Sequence, residues 1–221
     1  GVRGEMQAEQ KQRRNRRLPR EVRERQILTA AVDVFAARGF HAASMDEISE
    51  VAGISKPMIY AYLGAKEELF EACIRKEAER LIEAIGESVV PGSSPEQQLW
   101  QGLRGFFAYV NDNRAGWTVL HRQAASLQEP FISEFLEWRQ RATGMIAELL
   151  ARATERSPQP RRPEQMLPFA AALVGAGESL VEWWFDNPEH TPDGLARRLM
   201  NMVWMGFGNL VEGKSWSPDA E

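Results

Sequence analysis

From Arg20 to Glu212 the apolar positions recur three and four residues apart, and no strictly alternating run is long enough to make a strand. The pattern predicts an all-α chain of about nine helices. Ile27, Ala31, Val34 and Phe35 form one stripe over about 21–38, closed by Gly39. Met45, Ile48, Val51 and Ala52 form the next, behind Ser44-Met45-Asp46-Glu47, an order that fits a capping box. Gly53 ends that helix. The turn Gly53-Ile54-Ser55 leads to a short third helix, where Ser55 can cap and Pro57 is tolerated because first-turn amides have no intrahelical partner. It ends near Leu63-Gly64, and a long amphipathic helix runs from Lys66 to about Ile85. Beyond the break Pro91-Gly92-Ser93-Ser94-Pro95, five more helices are expected, roughly 95–113, 115–127, 130–156, 163–186 and 192–212, punctuated by proline. The proline-rich segment 157–163 reads as a flexible loop.

Composition narrows the function. With 221 residues, 43% of them hydrophobic, the chain can build one or two cores, and no apolar run approaches the ~20 residues of a membrane span. The first residues are basic without the apolar stretch of a signal peptide, so a cytoplasmic protein is expected. Cys73 is the single cysteine, which excludes an internal disulfide and a thiolate zinc site, and His41, His121 and His190 are too widely spaced for a local metal motif. No cofactor is called for. Neither a Gly-rich phosphate loop nor a nucleophile elbow is present, so an enzyme is not expected. His121 with Glu129 or Glu134 comes nearest to a base beside a carboxylate, and it reads as a surface histidine. Net charge is −4, yet residues 1–20 hold seven basic side chains against Glu5 and Glu9, while residues 76–221 hold 14 basic against 20 acidic. A basic end on an acidic body is the asymmetry of a chain whose one end meets a polyanion.

The chemistry sits in the stretch GISKPMIYAYLGAKEEL, residues 53–69. A helix, a glycine turn and a second short helix make a helix-turn-helix, in which the second helix enters the DNA major groove. A carboxylate facing a phosphate wall would be repelled, so the exposed face of 55–62 keeps Ser, Lys and Tyr as donors. Pro57, Met58 and Ala61 add apolar contact, including to thymine methyl groups. The arm carrying Arg13, Arg14, Arg16 and Arg17 is placed to enter the adjacent minor groove.

Residues 25–70 closely resemble the N-terminal domain of the TetR family of transcriptional repressors. The match lies in the Ile-Leu-x-Ala-Ala stripe, Phe35, Gly39-Phe40, Ser44, Asp46-Glu47-Ile48, Ala52-Gly53-Ile54-Ser55, Tyr60, and Lys66-Glu67 with Leu69. The resemblance implies that Ser44, Tyr60 and Lys66 hold phosphates, with Ser55 beside them, while Lys56, Pro57, Met58, Ala61 and Tyr62 face bases and Arg16 and Arg17 belong to the arm. Two positions depart from the family pattern. Tyr62-Leu63 stands where His-Phe is frequent, so no operator sequence can be borrowed, and Ala65 stands where a capping residue is common, a loss of about 1 kcal/mol at the next helix.

The domains expected are a basic flexible arm at 1–20, a three-helix helix-turn-helix domain at 21–75, and an effector-binding and dimerisation domain at 76–221. All seven Trp lie in the last, which suits an apolar pocket between helices. Leu103, Phe106, Phe107, Val110, Trp117, Leu120 and Trp138 are expected nearest to it. The last two helices mix small and large apolar residues, and the resemblance implies that they pair in a homodimer, with Gly175, Trp183, Trp184, Trp204 and Phe207 at the interface; adjacent Trp183 and Trp184 point about 100° apart, so one faces the core and the other a partner. The expected function is a ligand-responsive regulator of double-stranded DNA, a repressor released from a palindromic operator by a hydrophobic small molecule. NRRLPR, RGFHAASMDEI and LVGAG resemble the FasR-type lipid-responsive branch of the family, which implies a fatty acyl effector. The alternatives are an activator and a helical dimeric adaptor without specific DNA binding.

Overall fold

Residues 19–214 are described by the computed structural model, and every regular element among them is helical. The chain divides into two units, Gly1–Ile74 and Arg75–Glu221. The first contains α1 (Arg20–Arg38), α2 (Met45–Ala52), α3 (Lys56–Leu63) and the opening turns of α4 (Lys66–Ser88). The second contains the rest of α4, then α5 (Pro95–Asp112), α6 (Arg114–Trp117), α7 (Phe131–Ala153), α8 (Pro163–Asp186) and α9 (Pro192–Val211). Outside the stretch 115–127, these bounds agree with the periodicity and punctuation to within a few residues.

In the first unit Ile27, Ala31, Val34 and Phe35 of α1 meet Ile48, Ile59, Leu69 and Phe70, all buried. Phe35 and Phe70 pack edge to face, centroids 4.8 Å apart, and Phe40 closes the cluster at 5.1 Å from Phe70. Cys73 is a buried thiol in the same core. Ser44 caps α2 by accepting the Glu47 amide at 3.1 Å. Only half the expected capping box forms, because the Glu47 carboxylate accepts from Arg38 Nε at 3.3 Å instead of turning back to the cap. The cap missing at Ala65 is partly restored, since the Glu68 carboxylate accepts the Ala65 amide.

The second unit pairs α7 with α8 and α5 with α9, and α5 also packs on α7. Phe107, Trp117, Leu120, Val181, Trp184 and Leu195 fill its centre. Ser94 and Thr191 cap α5 and α9, with proline in each first turn. α7 stops short of its expected end because buried Thr154 donates to the Ala151 carbonyl and accepts from the Arg161 amide, both at 2.8 Å, closing the segment that follows. The single helix expected over 115–127 is instead α6, a π turn at Thr118–Gln123 and a 3₁₀ turn at Ala124–Ser126. In this wider winding His121 stacks on Trp117 at 4.7 Å and meets Glu178 of α8, Nε2 to Oε2, at 2.7 Å. His121 is therefore not a surface histidine, and its carboxylate partner is neither Glu129 nor Glu134. Arg139 of α7 donates to the other Glu178 oxygen at 2.7 and 2.9 Å, so one buried carboxylate joins three segments.

Burial alone would push the Glu178 carboxyl up; hydrogen bonds from His121 and Arg139, with their charges, outweigh it and hold it below its ordinary value. A depressed carboxylate contributes stability above its unfolded pKa and loses it as the pH falls through the folded one. Glu178→Gln is expected to flatten the acid limb of the thermal midpoint against pH, below the usual glutamate range, relative to the wild type. In the first unit, Phe35→Ala is expected to cost about 3–5 kcal/mol in urea unfolding.

Candidate DNA-binding surface and effector cavity

An eight-residue α3 needs its neighbours to hold it. Its one fully buried side chain is Ile59. The turn before it rests on Gly53, whose φ of 66° is left-handed and favours glycine. Ser49 Oγ donates to the Ile54 carbonyl at 2.6 Å, and Gln26 of α1 donates to the Ala52 carbonyl at 2.7 Å. The sequence alone points to neither Ser49 nor Gln26.

The face left outward carries Ser55, Lys56, Pro57, Tyr60 and Ala61, with Met58 half-buried. Tyr60 is 48% exposed. Ser55 occupies the N-cap position of α3, but its hydroxyl caps nothing, contrary to expectation. α3 itself has no acid, yet α2 brings one: Asp46 pairs with Lys56 Nζ at 2.7 Å, and its hydrogen bond raises the Lys56 pKa. The pair is exposed and weak, so a phosphate can displace Asp46. Tyr62 does not stand on the open face. Its hydroxyl accepts from buried Arg23 at 3.5 Å and Arg20 lies over its ring at 5.2 Å, because two residues along a helix turn it toward α1. Lys66 is also placed otherwise than a free phosphate ligand: Nζ donates to the carbonyls of His41 at 3.3 Å and Ala43 at 3.2 Å, above the Phe40 ring. These carbonyls offset the cost of a cation at the start of α4. Ser44 is exposed at the start of α2. Arg16 and Arg17 lie outside the described residues.

The second unit encloses a cavity of about 340 Å³ between α4, α5, α7 and α8, with walls that are largely apolar. Leu103, Phe106, Trp117 and Trp138 line it. Phe107, Val110 and Leu120 do not; they are buried in the core, Phe107 packing against Trp184 on the side of α5 turned from the cavity. Polar groups reach the lining at two places, Gln98 with Arg152 and, elsewhere, Glu178. Trp138 Nε1 is buried without an acceptor. Among the described residues no group of three His, Cys, Asp or Glu could hold a metal ion, and no helix is long and apolar enough to cross a membrane.

α8 and α9 expose a run of large apolar side chains: Leu167, Phe169 and Trp183, with Met202 at 66% and Met205 at 70% exposure. Of the residues assigned to an interface, Trp183 is outward, Gly175 and Trp204 are half-buried, and Phe207 is in a core cluster with Ala147, Leu150 and Met166. Trp184 is 1% exposed and donates to the His190 carbonyl at 2.9 Å, so it faces its own core and is not on that face.

Residues 27–73 match the model described as bacterial regulatory proteins, tetR family, and residues 95–206 match that of the tetracyclin repressor-like C-terminal domain. The crystal structure of a TetR-like transcriptional regulator from Rhodococcus sp. RHA1 is 43% identical, with a TM-score of 0.73 over 87% of this chain and 99% of that one. The HTH-type transcriptional activator FasR of Mycolicibacterium smegmatis is 25% identical over 209 residues, 94% of this chain and 93% of its own length. The regulator FadR from Bacillus subtilis, solved in complex with stearoyl-CoA, is 15% identical and shares the fold, with a TM-score of 0.69 over 80% of this chain and 96% of that one. These families and relatives are DNA-binding transcriptional regulators rather than enzymes, and the chain belongs to the TetR family.

Proposed function

We propose that two copies of this chain bind a palindromic operator through the paired α3 helices, and that a hydrophobic effector of the fatty acyl class, bound in the second-unit cavity, sets the affinity. The observation that carries this reading is the largely apolar cavity of about 340 Å³, at the small-molecule scale, in a chain whose other unit is a helix-turn-helix. The names of the Mycolicibacterium activator and of the Bacillus regulator with stearoyl-CoA support the acyl class. Ser44, Ser55, Lys56 and Tyr60 supply donors to phosphates and base edges, with Pro57, Met58 and Ala61 as apolar contacts. Tyr62 and Lys66 act from behind, the first holding α3 on α1 and the second holding the loop before α2. α4 is one helix, Lys66–Ser88, contributing Phe70 to one core and Leu81 to the cavity lining, and it transmits the effector's influence. A coupling of about 1–3 kcal/mol would change operator affinity roughly 5- to 150-fold.

Repression is the primary reading. Activation is favoured by one finding, that the Mycolicibacterium relative is named an activator. A reporter behind the operator separates them: deleting the gene raises expression under repression and lowers it under activation.

Fluorescence anisotropy on the DNA upstream of the protein's own gene tests operator binding. Affinity at least about 10³-fold above that for a scrambled duplex is expected, falling as salt rises. Equal binding to both duplexes would favour the adaptor reading. The exposed α8 and α9 face is assigned to the dimer, so Met205→Glu is expected to leave the helical content unchanged, convert dimer to monomer in sedimentation equilibrium, and weaken operator binding. A dimer that persists would move the interface elsewhere.

A further inference from the structure

The cavity is polar at two separate places, and the two differ in charge balance. Its α7 wall carries Trp138, Ala142, Met145, Ile146, Leu149 and Arg152, which the three- and four-residue spacing gathers on one helical face, with Met145 and Ile146 side by side. Trp138 to Arg152 spans about 21 Å of helix at 1.5 Å per residue. Near Trp138, the Glu178 carboxylate is already engaged on both oxygens, by His121 and by Arg139. Near Arg152, among the described residues, no carboxylate is paired with the charge. The guanidinium is exposed, its one hydrogen bond is Nη2 to Gln98 Oε1 at 3.1 Å, and it forms no ion pair among the described residues. Because Gln98 spends its carbonyl on Arg152, its amide NH₂ group remains as a second donor beside the guanidinium.

A long apolar slot that is neutral toward one end and carries an unanswered cation with a neighbouring amide donor at the other is complementary to an amphiphile of one polarity. We propose that Arg152 and Gln98 form the anion-holding end of the cavity, and that its ligand is a negatively charged amphiphile seated with the head at Arg152 and the chain directed along α7 toward Trp117 and Trp138. The assignment rests on the cavity being the effector site, and it adds the ligand's charge and orientation. A guanidinium and an anion form charge-assisted hydrogen bonds of a kind that no uncharged head can replace. A carboxylate and a thioester's phosphate share this chemistry.

The test is titration of the full-length protein by intrinsic tryptophan fluorescence with palmitic acid, palmitoyl-CoA and methyl palmitate, each below its aggregation limit. In the wild type, at least one anionic form is expected to bind about tenfold or more tighter than the methyl ester. Arg152→Gln should bring that form down to the level of the ester and leave the ester unchanged. Arg152→Lys should recover part of the difference. If only the acid responds, the head is a carboxylate; if only the CoA thioester responds, it is a phosphate; if both respond, the anchor accepts either anion. Equal binding of charged and uncharged forms in the wild type, or an equal loss for both in Arg152→Gln, would overturn the anchor while leaving a hydrophobic effector site standing. Binding by none of the three would overturn the acyl reading and the anchor together. Arg152 is exposed, and an unchanged thermal midpoint confirms that the variants fold.

Discussion

A helix of eight residues has no stability of its own in water, and on the reading proposed the DNA-contacting surface of this protein is built on one. α3 persists because Ile59 is buried against its neighbours, because Gly53 supplies a left-handed turn, and because Ser49 and Gln26 satisfy carbonyls that the turn leaves open. The orientation of its outer face then depends on α1, through Arg23 and Arg20 at Tyr62, and on α4, through Lys66 at the loop before α2. Much of the first unit is thus a mount for a few outward side chains. On the proposed reading the absence of carboxylates from α3 follows from that use, and the one acid that arrives, Asp46, sits on an exposed lysine where a phosphate would replace it.

The second unit meets the opposite constraint. A cavity among helices costs packing, and polar groups in its wall cost desolvation unless they are paired. The wall is accordingly apolar along most of α7, and its buried acid, Glu178, is held by two cationic or hydrogen-bonding partners drawn from the π turn and from α7. The π turn is where regular winding yields to that network, as such turns often do at functional sites. On the reading proposed, a ligand in this cavity changes the balance between two arrangements of α4, and the operator reads the balance. The ligand acts only as far as it prefers one arrangement.

The helices were legible because a 3.6-residue period and proline or glycine punctuation are local signals, and the helix-turn-helix was legible because its turn and its acid-free face lie in one short stretch. Long-range pairings were not. Nothing within ten residues of His121 announces Glu178, so the histidine read as surface. The resemblance gives Lys66 to a phosphate, and the carbonyls it holds instead belong to residues 41 and 43, more than twenty positions away. Phe107 and Val110 share α5 with Leu103 and Phe106, and a helix offers its aromatic residues to two sides; only packing decides which side becomes cavity and which becomes core. Trp183 and Trp184 were separable in direction from sequence, and the structure puts Trp184 inside and Trp183 out.

Regulation as proposed requires that the cavity and the α3 surface be energetically linked. Linkage is reciprocal, so the most direct measurement is the dissociation constant of palmitoyl-CoA from the protein alone and from the protein saturated with operator DNA, by calorimetry at fixed salt. The two constants are expected to differ, by the same factor by which palmitoyl-CoA changes operator affinity. Tight binding with identical constants in both states would contradict the linkage, because the cavity would then be occupied without any influence on DNA.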